Sequence, residues 1–153
     1  MEGKSYTKKN VAELTGETPR TIHFWSDVEL VIPAVDNPVG RGKNRKYSDE
    51  NIFEFLIVRE LIKRGIKLDD IKHIMAFARK GGLEGKSKWK DIPRFQRTYL
   101  ILYNHTNRNV SGKLIYSKEA KKTNINIDMQ DHSTVTIIDL KKLDEKIKRI
   151  ITQ

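Results

Sequence analysis

The chain contains no cysteine among its 153 residues. Disulfides, thiol redox chemistry and thiolate metal sites are therefore excluded. No apolar run approaches the roughly 20 residues that a membrane-spanning helix needs, and the first residues carry no apolar stretch typical of signal peptides. These absences predict a cytoplasmic protein with no membrane partner.

The sequence also lacks a catalytic constellation. No nucleophile–base pair, Gly-rich nucleotide loop or carboxylate cluster occurs at a useful spacing, so we expect no enzymatic activity and no cofactor. The group Asp128, Asp131 and His132 offers oxygen and nitrogen ligands, but in a polar loop such residues are usually solvated turn formers. We therefore predict no metal site.

Positive charge is in excess. The chain has 30 Lys+Arg against 20 Asp+Glu, which gives a formal net charge of +10 and a pI of about 9.7. Such a balance favours a phosphate-rich partner. A basic surface that only keeps the protein soluble is the alternative, and the position of the charges must decide between them.

Two short helices are predicted at the start of the chain. Thr7 is a good N-cap for a helix over residues 8–14, and Gly16 is placed to end it. Thr18 then caps a second helix with Pro19 at its first position, where the missing N–H costs nothing. A short helix, a tight turn and a second helix are the elements of a helix-turn-helix.

The exposed face of the second helix would carry Arg20, Thr21 and His23. Arginine can read guanine with two hydrogen bonds, while histidine and threonine can reach a base or a phosphate. These side chains are the candidates for major-groove contacts. An ordinary helical hairpin with a polar face is the alternative.

A basic loop follows, over residues 34–46, after the apolar and β-prone residues 30–32. Its four cations occupy six positions and alternate with Gly42 and Asn44: they are Arg41, Lys43, Arg45 and Lys46. Glycine lets the backbone approach phosphate closely, and the cations neutralise it. Tyr47 could hydrogen-bond a phosphate or pack under this loop. A solvated charge run is the usual alternative.

Four motifs in order carry a family resemblance: Thr21-Ile-His-Phe-Trp-Ser26, Leu30-Val-Ile-Pro33, Arg45-Lys-Tyr-Ser48 and Gly65-Ile-Lys-Leu-Asp-Asp-Ile71. Through them, residues 6–78 resemble the DNA-binding domain of the MerR family of bacterial transcription regulators. The chain departs from the family pattern at His23, where arginine is usual, at Phe24 and Trp25, where tyrosines are usual, and at Ser26, where glutamate is usual. A phosphate contact through a tyrosine hydroxyl at those two positions cannot be carried over.

The resemblance implies a sequence-specific transcription regulator that binds double-stranded DNA as a homodimer at near-palindromic promoter sites, with RNA polymerase as a further possible partner. A DNA-architecture factor, excisionase-like or chromosome-organising, is the alternative use of the same domain. The predicted DNA-binding residues are Thr18, Arg20, Thr21, His23, Phe24, Arg41, Lys43, Asn44, Arg45, Lys46 and Tyr47.

The rest of the chain completes an α+β prediction. Ser48 caps a third helix, Gly65 separates it from a fourth, and strand-like runs follow at residues 97–103, 112–116 and 133–138. Asp139 could cap a last helix over residues 140–151. We predict a mainly helical winged helix-turn-helix domain over 1–80, a basic Gly-rich linker over 81–94, and a small β-containing domain with a C-terminal helix over 95–153.

Dimerisation is the least determined feature. The resemblance implies a long helix after the fourth one, but the residues there are Gly81-Gly-Leu-Glu-Gly85, and each glycine costs about 1 kcal/mol in a helix. The last helix is the replacement that we predict, although its apolar face could equally pack on its own sheet. The predicted dimer contacts are Leu140, Leu143, Ile147, Ile150 and Ile151.

Overall fold

The computed structural model describes residues 3–38, 44–80, 92, 96–103, 111–116 and 135–152. No helix in these ranges has the length and apolar character needed to cross a membrane. The elements in chain order are β1 (Tyr6–Thr7), α1 (Lys8–Thr15), α2 (Pro19–Asp27), β2 (Lys46–Tyr47), α3 (Asp49–Lys63), α4 (Leu68–Lys80), β3 (Arg97–Tyr103), β4 (Ser111–Tyr116), β5 (Val135–Asp139) and α5 (Leu140–Ile151).

The first three helices begin where the sequence predicts. The hydroxyls of Thr7, Thr18 and Ser48 each accept a hydrogen bond from the backbone N–H three residues on, at 3.2, 3.1 and 3.2 Å. Gly16 ends α1 in the left-handed conformation, with φ 75°, which glycine adopts without a Cβ penalty. Local side-chain chemistry therefore determines these boundaries.

The β-prone residues 30–32 form no strand and instead follow the turn that ends α2. Glu29 has a left-handed φ of 62°, and the N–H of Leu30 donates to the carbonyl of Trp25 at 2.9 Å. Leu30 and Val31 are both buried in the core. Burial after a helix end thus outweighs their β propensity.

The central element is α3, whose residues 51–58 are all buried. Phe53 and Phe55 point to opposite sides of the helix because residues two positions apart are rotated by about 200° around the helix axis. On one side Phe55 stacks on Trp25 at 6.2 Å between ring centroids and meets the edge of Tyr47 at 5.5 Å. On the other side Phe53 lies under the guanidinium of Arg97 at 5.4 Å. The helix-turn-helix and the C-terminal sheet therefore pack on different faces of α3.

The C-terminal part is an antiparallel sheet with strand order β4-β3-β5, followed by α5. Leu100 of β3 pairs with Leu114 of β4 and Ile138 of β5. Asp139 caps α5 by accepting from the N–H of Lys142 at 3.0 Å. The helix α5 packs against α3 and β3. The protein is thus a helical helix-turn-helix part with small antiparallel sheets and a C-terminal helix, in line with the α+β prediction.

One buried hydrophobic cluster joins the two parts, since it runs from Val11 of α1 to Ile147 of α5. The predicted linker over 81–94 lies outside the described residues except for Ile92, which belongs to the cluster. The predicted domains at either end of that linker therefore share a core.

The predicted dimer contacts divide into two groups. Leu140, Leu143 and Ile147 are buried within the chain, which corresponds to the alternative that this face packs on its own sheet. Ile150 and Ile151 are half-buried. A partner subunit could contact Ile150 and Ile151 with α5 in its present place. It could contact Leu140, Leu143 and Ile147 only if α5 left its packing on α3 and β3.

Candidate nucleic-acid interface

The outer face of α2 carries the predicted base-reading residues. Ile22, Trp25 and Ser26 occupy the buried face, so Arg20 and His23 point outward and are exposed. Within the described part of the chain, Arg20 makes no hydrogen bond or ion pair. Its guanidinium is therefore available to a ligand.

Thr18, Thr21 and Phe24 differ in what their side chains can offer. Thr18 is engaged as the N-cap, and its hydroxyl also lies 2.9 Å from that of Thr21. Thr21 is half-buried. Phe24 is 46% exposed, which makes it the apolar contact of this face.

A cleft of about 430 Å³ lies beside α2, between the start of α1 and β2. It forms because β1 pairs with β2, with Tyr6 opposite Tyr47 and Thr7 opposite Lys46. This pairing brings the first turn of α1 to the end of the basic loop. The residues that line the cleft are Thr7, Lys8, Lys9, His23, Asn44, Arg45, Lys46 and Tyr47.

Lys8 and Lys9 are members of this cleft that the sequence reasoning missed. They are the first two residues of α1, and no acidic residue occurs in that turn. A helix N-terminus carries partial positive charge, so lysines there are unfavourable unless an anion is near. The presence of two lysines at a helix N-terminus is the sequence signal that could have identified them. The same concentration of positive charge favours phosphate binding at this site.

Asp27, at the end of α2, joins two of the predicted DNA-binding residues. Its carboxylate accepts from Arg45 Nη2 at 2.6 Å and pairs with His23 Nε2 at 3.1 Å. The hydrogen bond from Arg45 holds the pKa of Asp27 below its usual value. The spacing of four from His23 is the sequence signal for Asp27, which the sequence reasoning also missed.

Arg45 is consequently engaged within the protein. Its Nε donates to Asn37 Oδ1 at 3.2 Å in addition to the Asp27 contact, and its side chain is only 19% exposed. The prediction that Arg45 holds a backbone phosphate requires it to leave these partners. Its geometry is that of a residue that ties the basic loop to α2.

The basic loop is closed at its base. Asp36 and Lys46 exchange backbone hydrogen bonds at 2.8 and 3.2 Å. The side-chain amide of Asn51, in α3, accepts from the N–H of Ala34 at 2.8 Å and donates to the carbonyl of Ile32 at 2.9 Å. Asn44 and the Lys46 side chain are exposed. Arg41 and Lys43 lie outside the described residues.

Tyr47 is buried beneath this loop. Its hydroxyl lies 2.8 Å from Ser26 Oγ, and Ser26 Oγ donates to the carbonyl of Ile22 at 2.8 Å. A serine hydroxyl has one proton, so Tyr47 must be the donor in their contact. Burial raises the pKa of Tyr47. Of the two predicted roles, packing under the loop is the one that the structure contains.

The residues on and around the cleft present two kinds of surface. Arg20, Thr21, His23 and Phe24 form a mixed polar and apolar helix face of a kind that a major groove admits. Lys8, Lys9 and Lys46 surround the adjacent cleft with positive charge. An extended polyanion with readable edges fits this combination better than a small ligand does.

Comparison with known proteins agrees with this geometry. The family described as "MerR HTH family regulatory protein" matches residues 6–78. The HTH-type transcriptional activator mta of Bacillus subtilis (strain 168) is 33% identical over 89 residues, which cover 54% of this chain and 32% of that protein.

A second relative is the "Uncharacterized HTH-type transcriptional regulator Rv1830" of Mycobacterium tuberculosis (strain ATCC 25618 / H37Rv). It is 29% identical over 79 residues, 52% of this chain and 35% of the relative. The matched part thus spans about a third of each of these two relatives. Residues 6–78 therefore form a domain of the MerR family of helix-turn-helix regulatory proteins.

Proposed function

We propose that the protein is a sequence-specific transcription regulator that binds double-stranded DNA with α2 in the major groove. The observation that carries the proposal is the position of the cationic cleft directly beside the exposed face of α2. A recognition helix in the groove places its flanking elements over the sugar–phosphate backbone. Cations are therefore present where a phosphate would lie.

Base reading falls to Arg20, Thr21 and His23. Arg20 is free to make two hydrogen bonds to a guanine, which is the commonest specific contact of arginine. Phe24 offers an apolar contact for a thymine methyl group. Asp27 fixes the orientation of His23 through their 3.1 Å contact.

Backbone binding falls to Lys8, Lys9 and Lys46, with Asn44 at the rim of the cleft. We assign Arg41 and Lys43 to the same role because they lie in the basic loop, a few residues before Lys46 in the sequence. Arg45 and Tyr47 act differently, because the first holds the loop to α2 and the second supports it from below. The loop would thus serve as the wing of the DNA-binding domain.

The functional unit is a homodimer on a near-palindromic promoter site, where it acts with RNA polymerase. Two copies related by two-fold symmetry would place two α2 helices in successive major grooves, about 34–36 Å apart. Ile150 and Ile151 are the predicted dimer residues that remain partly accessible.

Selection of bound duplexes from a random pool tests the proposal. The selection is done near physiological salt, where non-specific electrostatic binding is suppressed. A two-fold symmetric motif is the expected result. Binding without any motif, which collapses as salt rises, would contradict the proposal and favour the DNA-architecture alternative.

Substitution of Lys8 and Lys9 by glutamine tests the cleft. If each lysine neutralises one phosphate, the slope of log affinity against log salt becomes shallower by about 0.9 per lysine. The loss should be the same on selected and unrelated duplexes, because phosphate contacts carry no sequence information. The variant with arginine at both positions is the control and should keep the original slope. An unchanged slope in the glutamine variant would remove these residues from the interface.

Substitution of Arg20 by alanine tests base reading. A bidentate contact to guanine is worth about 1–3 kcal/mol of discrimination, so selectivity at one position of the motif should relax. If affinity fell equally on all duplexes instead, Arg20 would be a phosphate contact.

A further inference from the structure

Most of the excess positive charge lies outside the MerR-like part. Residues 81–153 contain 15 Lys+Arg and 8 Asp+Glu, whereas residues 1–80 contain 15 and 12. The C-terminal half therefore carries +7 of the net +10. Most of the net charge that can attract a polyanion therefore lies in this half.

Within the described residues, α5 concentrates this charge. Lys142, Lys146 and Arg149 are spaced by four and three residues, which places them on one face of the helix. They are exposed and border a groove with Glu145 and Ile150. Together the three cations form what we call the α5 stripe.

The α5 stripe is not neutralised within the described structure. None of the three side chains makes a hydrogen bond or ion pair there, in contrast to the side chain of Lys148, which pairs with the buried Asp144 at 3.0 Å. Like charges at such spacings destabilise a helix by a few tenths of a kcal/mol per pair. An external polyanion would remove this repulsion.

The stripe faces away from the helix-turn-helix. Leu140, Leu143 and Ile147 occupy the opposite face of α5 and are buried, where α5 packs on α3 and β3. The sheet in turn meets α3 on the side of Phe53, while α2 meets it on the side of Phe55. A duplex bound by α2 and an anion bound by the stripe would therefore lie on opposite sides of the core.

We propose that the α5 stripe binds the phosphate backbone of a second DNA segment, so that the protein bridges two duplexes. The contact is independent of sequence, since the groove offers three cations beside the single carboxylate of Glu145 and no base-reading group. From Lys142 to Arg149 the helix rises about 10 Å, a length over which a duplex presents about six phosphate charges. The first duplex is held as in the proposed function, on which the inference rests.

The test is a two-duplex capture with the full chain. A duplex with the selected motif is immobilised, the protein is added, and recovery of a labelled, unrelated duplex is measured from about 50 to about 200 mM salt. The neutral variant carries Lys142→Gln, Lys146→Gln and Arg149→Gln. The charge-matched control carries Lys142→Arg, Lys146→Arg and Arg149→Lys.

The wild type and the control should capture the second duplex, and the neutral variant should not. A surface that neutralises three phosphates loses about 40-fold in affinity over that salt range, so capture by the wild type should fall steeply with salt. The neutral variant should still bind the immobilised duplex with unchanged affinity. Its urea unfolding midpoint should be no lower than that of the wild type, because the repulsion between the like charges is removed.

Three results would overturn the inference. If the neutral variant bound the immobilised duplex as much more weakly as it captured the second duplex, the stripe would contact the first duplex. Undiminished capture by the neutral variant would mean that two helix-turn-helix units do the bridging. Stripe-dependent binding of vesicles of phosphatidylcholine and phosphatidylserine, without capture of DNA, would assign the stripe to a lipid surface.

Failure of the proposed function has a different signature. The wild type would then select no motif, while direct binding to unrelated duplexes would still be measurable. A weaker non-specific affinity in the neutral variant than in the control would support the stripe even in that case. Equal non-specific affinity in both would end the inference as well.

Discussion

The two sides of α3 hold their neighbours in different ways. On the helix-turn-helix side, aromatic packing of Phe55 on Trp25 is accompanied by the Arg45–Asp27 pair, whose carboxylate is 47% exposed. On the sheet side, Arg97 is only 2% exposed. It pairs with Glu50 of α3, and its Nε donates to the carbonyl of Ile92 at 3.0 Å.

This difference separates an adaptable surface from a fixed one. An ion pair whose carboxylate is open to solvent contributes about 1 kcal/mol and can be exchanged for a ligand. A buried guanidinium cannot lose its carboxylate without a large penalty. Glu50 lies in the first turn of α3, directly after β2 and the basic loop. The sheet is therefore anchored at the start of α3, while the proposed interface stays able to rearrange.

The largest expected effect tests the fixed side. Glu50→Gln removes the carboxylate that pairs with the buried Arg97, so the free energy of unfolding should fall by about 3–5 kcal/mol. Urea denaturation measures it. Glu60→Gln is the matched control on the same helix, because its partner Arg64 is exposed and its loss should cost less than about 1 kcal/mol. Similar losses in both variants would abolish the distinction.

The next effect concerns pH. Burial raises the pKa of Glu54 to about 7, although Arg79 and Asn51 lie beside it. The folded state then holds the proton more tightly than the unfolded state, so this contribution is complete below the usual pKa and is lost as pH rises through about 7. We expect the wild type to lose about 2.5 kcal/mol of unfolding free energy relative to Glu54→Gln between about pH 5 and about pH 8.

Unfolding free energies of both proteins at the two pH values provide that measurement. Glu60→Gln serves again as the control and should follow the wild type. If the difference between wild type and Glu54→Gln did not change with pH, Glu54 would titrate as an ordinary carboxyl despite its burial.

A smaller effect tests the support beneath the basic loop. Tyr47→Phe removes the hydrogen bond to Ser26 and should cost about 1 kcal/mol. A double-mutant cycle with Ser26→Ala isolates that contact. DNA affinity of the folded variant should be unchanged, because the hydroxyl is buried. If the variant instead lost DNA affinity, and its slope of log affinity against log salt became shallower by about 0.9, Tyr47 would be a phosphate contact.

The smallest effect on stability belongs to the adaptable side. Asp27→Asn should cost less than about 1 kcal/mol, but it should change DNA binding in two directions. Affinity for unrelated duplexes should rise because a carboxylate near phosphates loses its charge, and selectivity should fall because Arg45 and His23 are released. Affinities for selected and unrelated duplexes give the ratio. An unchanged ratio would show that Asp27 does not position the interface.

The sequence by itself determined the features that depend on near neighbours. The caps at Thr7, Thr18 and Ser48 each use a contact three residues away. The periodicity and the Asp139 cap predicted the last helix at its observed bounds, residues 140–151. The motifs over residues 6–78 identified the family.

Only the tertiary structure decided which of the predicted side chains are available. The Arg45–Asp27 contact spans 18 residues, and the Tyr47–Ser26 contact spans 21. Lys8 and Lys9 join the cleft only because β1 pairs with β2. The sequence could not decide whether the apolar face of α5 packs on a second copy of the chain or on its own sheet. An apolar stripe predicts that a helix face is buried, but it does not identify the surface that buries it. Local patterns specify elements, whereas the partner of each side chain depends on how distant elements pack.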